Sequence, residues 1–212
     1  MMSSFDIACR SCDRLASFLD EIKIDHPDYY TKPVPAFGAN KAQLLIVGLA
    51  PGMHGANRTG RPFTGDQSGI MLYETLYAFD FANKPESIAR NDGLKLKNCR
   101  ITNAVKCLPP QNKPSGEEIK MCNHFLAAEL KSMPENSVLV ALGTIAHNAI
   151  LRAFGIKQSE YKFSHNAEHD INEQITLIDS YHCSRYNTQT KRLTEDMFHD
   201  VFAHAKVIIE SK

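Results

Sequence analysis

Four strand-like runs constrain this chain most. QLLIVG (43–48) ends in glycine and proline, NCRITNAVKCLPP (98–110) breaks at Cys107 and the prolines, SVLVALG (137–143) is closed by Gly143, and EQITLIDSYH (173–182) is the last. Segments of helical spacing alternate with them: QSGIMLYETLYAFDFA, with Ile70, Leu72, Leu76, Tyr77 and Phe79 on its apolar side, then SGEEIKMCNHFLAAELKSM and TIAHNAILRAFG. LTEDMFHDVFAHAKVII closes the chain with a stripe of Met197, Val201, Ala205 and Ile208. Ser115 with Glu118 three residues on predicts a capping box, and Thr144 and Gly155 bracket a short helix. Strands alternating with helices in this way predict an α/β fold, with a mostly parallel sheet covered on both faces. The first 40 residues, with HPDYYTKPVPAFG, read as an extended prelude wrapped on that core.

In such sheets ligands bind beyond the carboxyl ends of the strands. Those ends here carry GLAPGMHGANRTGRPFTGD, TNAVKCLPPQNKP, GTIAH and SYHCSRYNTQTKRLT. The first follows a buried strand with bent, glycine-rich backbone, yet it contains neither a phosphate-binding G-x4-G-K-[ST] nor a G-x-G-x-x-G at the strand end. That argues against a nucleotide hydrolase. Lysine plus arginine equals aspartate plus glutamate at 24 each, so any nucleic acid would have to meet a local basic patch rather than a basic chain. No apolar run approaches the roughly 20 residues that span a membrane, and MMSSFDIACRSC has no export pattern, so the chain reads as cytoplasmic. With 212 residues it suits one domain.

Six cysteines in such a chain point to a metal or redox site more than to disulfides. Cys9 and Cys12 form a C-x2-C pair, and Cys107 and Cys122 are a second candidate pair; four thiolates could hold zinc or an iron–sulfur cluster. Cys99 and Cys183 read as small buried hydrophobes.

GLAPGMHGANRTGRPFTGD resembles the first motif of the uracil-DNA glycosylase superfamily, in its type 5 branch. HCSRYNTQTKRLT resembles the second motif, and CRSCDRL with TNAVKCLPPQNKPSGEEIKMC resembles the cluster-binding segments of the type 4 and type 5 branches. Together they run in the family's order over residues 9 to about 195. The resemblance implies a three-layer α/β/α sandwich around a short sheet. It also implies a structural 4Fe–4S cluster on Cys9, Cys12, Cys107 and Cys122, tying residues 1–40 to a single domain spanning 1–212. The implied activity is hydrolysis of the N-glycosidic bond of deaminated bases in DNA, uracil and also hypoxanthine, without a covalent lysine intermediate. The protein would act as a monomer on damaged duplex DNA and on single strands. A non-catalytic iron–sulfur protein that binds damaged DNA or a free base is the competing reading.

Carried over by position, Phe63 would stack on the flipped base, Asn103 would read its edge, and His182 would donate to the base oxygen where negative charge develops. Gly48, Ala50, Pro51, His54 and Ser184 complete the expected pocket. Related branches place a polar residue directly after the first glycine; Leu49 and Ala50 stand here instead, so Asp66 is the nearest carboxylate for water, with an N-cap for the following helix as its other reading. Arg58, Arg61, Arg185, Lys191 and Arg192 would meet phosphates, and Tyr186 would fill the gap left by the flipped base. Cys183 replaces the proline usual after the motif's histidine.

Overall fold

The computed structural model describes residues 5–211. The reading of the extreme N-terminus as leaderless falls partly on residues 1–4, outside that range. Six strands form one sheet: β1 (Phe37–Gly38), β2 (Leu44–Gly48), β3 (Cys99–Asn103), β4 (Ser137–Leu142), β5 (Glu168–Asn172) and β6 (Ile175–Ser180). Their order is β1-β3-β2-β4-β6-β5. The central β3-β2-β4-β6 block is parallel, and the two edges, β1 and β5, are antiparallel.

Alternation along the strands builds the three layers. From β2, Leu44 and Ile46 join Val138, Val140 and Leu142 of β4 on one face, where they meet α3 (Gln67–Ala78), which follows the one-turn α2 (Ala56–Thr59), and α7 (Glu195–Glu210). Leu45 and Val47 join Leu139, Ala141 and Leu177 on the other face, against α4 (Gly116–Lys131) and α5 (Thr144–Phe154). Every residue of β2 and β4 is buried, which explains why these strands read as continuous apolar runs. The capping box at Ser115 and Glu118 forms, and Gly155 closes α5 in the left-handed conformation.

Several expectations change. The N-terminal prelude contains α1 (Asp13–Asp25), whose Leu15, Leu19 and Ile22 lie at i, i+4, i+7 and are buried. On α3, Leu72 and Leu76 are buried as expected and Phe79 packs against the core, but Ile70 and Tyr77 are exposed and Tyr73 is buried in their place. On α7, Val201 and Ala205 are buried as expected, with Phe198 and Phe202 beside them, while Met197 and Ile208 pack only partly buried at the margin of the core. The α5 N-cap is Gly143 rather than Thr144. Strand β5, EHDIN, carries almost no apolar signal because it is a solvated edge.

Candidate active site

The carboxyl ends of β2, β3, β4 and β6 open into one cleft of about 620 Å³. Gly48 stands opposite Asn103 where β2 and β3 end. A Cβ on Gly48 would lie 2.6 Å from the Phe63 ring and would collide with Asn103 Oδ1, so only glycine lets amide and ring meet there. Asn103 Oδ1 is buried without a hydrogen-bond partner. An unsatisfied acceptor of this kind costs about 1–3 kcal/mol and is expected where a ligand completes the set. Phe63 is itself buried with φ at 52°, a left-handed backbone that a bulky residue rarely adopts.

His182 follows the end of β6, and its ring stacks near Phe63, with centroids 5.9 Å apart and planes 30° from parallel. Its Nδ1 is buried without a partner, and burial pushes the imidazole down to a pKa of about 4, so it is neutral at neutral pH. The backbone around it is fixed by α6 (Arg185–Gln189): Asn187 Nδ2 donates to His182 O at 2.8 Å, and Ser184 Oγ caps the helix by accepting from Asn187 N. Cys183 points away into the core and donates to Ser68 O at 3.4 Å, docking the motif on the first turn of α3.

Asp66 caps α3: its Oδ1 accepts from Gly69 N at 3.0 Å. Its other oxygen lies against Gly55, where a Cβ could not fit, and 3.3 Å from the Cβ position of Gly52. The cap is a fact of the structure, and the same carboxylate also lines the cleft. Burial raises the Asp66 pKa above the ordinary carboxylate value, against hydrogen bonds from Gly69 and Ser68 and the charge of Arg58.

His182 also predicts a pH effect on stability. Its folded pKa lies below the ordinary 6.5, so folding favours the neutral ring; the contribution is whole above pH 6.5 and is lost as pH falls toward 4. The full loss is about 3 kcal/mol. Thermal melts from pH 7 to 4 are expected to show a shallower acid decline in His182→Gln than in the wild type.

A family model described as the uracil DNA glycosylase superfamily matches residues 35–206. The chain belongs to this superfamily. It is similar to proteins named type-5 uracil-DNA glycosylase. The Thermus thermophilus protein is 46% identical over 94% of this chain and 93% of its own length. That of Mycobacterium bovis is 40% identical over 93% and 77%, and that of Pyrobaculum aerophilum 37% identical over 94% and 88%.

Of the residues expected in this superfamily member's pocket, Ala50, His54, Phe63, Asp66, Asn103, His182 and Ser184 line the cleft. Gly48 lies beneath it, and Pro51 is buried outside it. Sequence reasoning missed Met53, Gln67, Asn112 and Ile145. Asn112 had a signal in the proline-rich turn after Cys107, which places it beside Gln111 in left-handed backbone.

Of the basic set, Arg185 lines the cleft, and Arg58 and Lys191 are exposed. Arg192 is exposed too, with its guanidinium 4.7 Å above the Tyr181 ring. Tyr186 is 71% exposed on α6. Arg61 overturns its expectation. It is buried, and forks onto Asp92 with Nη1–Oδ1 at 3.0 Å and Nη2–Oδ2 at 2.6 Å. Its Nε donates to Thr64 Oγ1, so no group is left to face a phosphate.

Cys9, Cys12, Cys107 and Cys122 line one cavity beneath α1 and α4, with Leu15, Val105 and Phe125 as apolar walls. All four are free thiols. Burial, then neighbouring sulfurs, pushes Cys12 up to about 11 and Cys107 up to about 12. Lys106 N donates to Cys122 Sγ at 3.3 Å. The only group of three such donors within 4.8 Å of one another among the described residues is His147, His169 and Asp179. The His147 group is a closed hydrogen-bonded set, with Asp179 accepting from both imidazoles. Cys99 and Cys183 are fully buried.

Proposed function

We propose that this chain is a monofunctional DNA glycosylase that hydrolyses the N-glycosidic bond of uracil in DNA, and of hypoxanthine as a second substrate, opening base excision repair. Family membership and the names of its relatives support uracil. The observation that carries the reading is the pair of unpartnered buried polar atoms, Asn103 Oδ1 and His182 Nδ1, on side chains lining one cleft with Phe63.

Breaking the bond places positive charge on the sugar and negative charge on the departing base. A flipped base would stack on Phe63, Asn103 would pair with its edge, and the neutral His182 would donate to its oxygen. The Asp66 carboxylate would orient water and face the sugar cation. No lysine lines the cleft among the described residues, and Lys106 is turned to Thr102 and Glu129, which agrees with hydrolysis rather than an imine. The roomy, largely apolar cleft suits a purine as well as a pyrimidine. Arg58, Arg185, Lys191 and Arg192 would meet the backbone, and Tyr186 would enter the stack. The protein would work as a cytoplasmic monomer on duplex and single-stranded DNA.

The four cysteines fit a 4Fe–4S cluster: four soft donors in one cavity, an apolar wall, and a backbone N–H on one sulfur. Bound, it would link α1 to α4 and the chain after β3. Its presence predicts a brown protein with about four irons per chain and no zinc.

Incubating the purified protein with uracil- or hypoxanthine-containing oligonucleotides, followed by alkali, tests the activity. Strand cleavage only after alkali is expected. Binding without abasic product, in wild type and Asp66→Asn alike, would favour the non-catalytic reading.

A further inference from the structure

The glycine-rich loop that borders the cleft is braced from outside by the N-terminal arm. Tyr30 N donates to Arg58 O and Thr31 N to Asn57 O, both at 3.1 Å, so the segment after α1 is bonded backbone to backbone with the loop. Met53 packs with Leu19, Ile22 and Tyr29 under the same loop. Lys23 Nζ donates to Pro27 O and Tyr29 O at 2.6 and 2.7 Å, which fixes the turn leaving the helix. His26 stacks on the Tyr29 ring, with centroids 4.4 Å apart and planes 15° from parallel. The ring so held places its hydroxyl 2.9 Å from His54 Nδ1, and His54 is the exposed imidazole on the cleft.

We infer that Tyr29 is a positioning residue for damaged DNA: its hydroxyl donates to His54 Nδ1, holding the imidazole in the tautomer that keeps its proton on Nε2 and presenting that N–H as a donor at the cleft. This rests on the glycosylase reading above. The ring nitrogen that is bonded decides which nitrogen carries the proton. An acceptor at Nδ1 leaves one donor for a phosphate or base oxygen, and a ring clamped by His26, Lys23 and two backbone bonds offers it with little freedom left to lose. The contact lies 25 residues apart in sequence and joins α1's exit to the loop after β2, so nothing in either motif alone announces it.

Tyr29→Phe removes one oxygen and keeps the stacked ring. Nitrogen-15 NMR of the imidazole is expected to show His54 as the Nε2–H tautomer in the wild type and as a mixture in Tyr29→Phe, at unchanged melting temperature. Affinity for a duplex carrying a tetrahydrofuran abasic-site analogue is expected to fall about threefold to tenfold, while single-turnover excision at saturating enzyme changes less. His54→Gln should lose at least as much, and Tyr29→Phe added to it should lose nothing further. An unchanged tautomer in Tyr29→Phe, or additive losses in the double variant, overturns the proposal. A wild type that excises no base would count against the glycosylase reading instead, and the tautomer measurement would still decide Tyr29.

Discussion

His182→Gln is expected to slow single-turnover excision of uracil by about a hundredfold to a thousandfold, the usual consequence of removing one donor from a developing anion. The reason is specific to how this imidazole is held. Its Nδ1 has no partner, its ring is enclosed beside Phe63, and burial keeps it neutral down to about pH 4. A neutral ring donates one hydrogen bond without bringing a full charge into the cleft, so its contribution grows as the base oxygen becomes negative and is small before that. The wild-type rate should therefore show no fall centred on the ordinary histidine value of 6.5. A fall there that disappears in His182→Gln would show the ring working as imidazolium, and the assignment would fail. Asn103→Ala should lose ground in both binding and rate, because it removes contacts present before and during bond breaking. Asp66→Asn is the sharper contrast: asparagine can still cap α3, so a large loss of rate with little change in melting temperature would separate its work on water from its work on the helix.

The positions of these residues were legible for a simple reason. Gly48, Asn103, Gly143 and His182 each sit at or just past the carboxyl end of a strand that alternates with helical segments in the sequence, and the parallel order of β3-β2-β4-β6 carries all four ends to one edge. Resemblance to the superfamily then supplied roles that spacing alone could not. What stayed hidden depends on contacts between distant segments. Helix α1 buries only one narrow stripe, and its prolonged polar surroundings read as extended chain. Strand β5 is charged because it is an edge, so its pairing with β6 leaves no apolar alternation to find. Tyr29 and His54 meet only because two loops are bonded together.

Arg61 shows the same limit most sharply, and its replacement is the second large effect. Read locally, an arginine between glycine and proline in a DNA-facing motif looks like a phosphate ligand. In the fold its guanidinium is 3% exposed, lies 4.8 Å above the Phe37 ring, and forks onto Asp92, 31 residues away. Asp92 is the hub of the 84–94 turn. Against burial that would raise its pKa, the Arg61 fork and the N–H groups of Leu94, Ile88 and Ala89 hold it far below the usual carboxylate range. Removing the guanidinium leaves that half-buried carboxylate with the three N–H donors and the more distant Lys84, at 3.8 Å, so the turn still meets part of its charge. Arg61→Met is therefore expected to cost about 3 kcal/mol, the lower end for a broken buried pair, and to lower the melting temperature by roughly 6–12 °C in a chain of this size. Below its melting transition the variant should bind abasic-analogue duplex with an unchanged salt slope, whereas Arg185→Met should reduce that slope by about one phosphate's worth at unchanged stability. Adding Asp92→Asn to Arg61→Met should recover part of the loss, since the stranded charge goes with it. A reduced salt slope with an unmoved melting temperature would return Arg61 to the DNA surface. The geometry argues for the opposite outcome: this arginine holds the glycine-rich loop against the turn behind it, and so keeps Phe63, two residues on, in the left-handed backbone that the cleft requires.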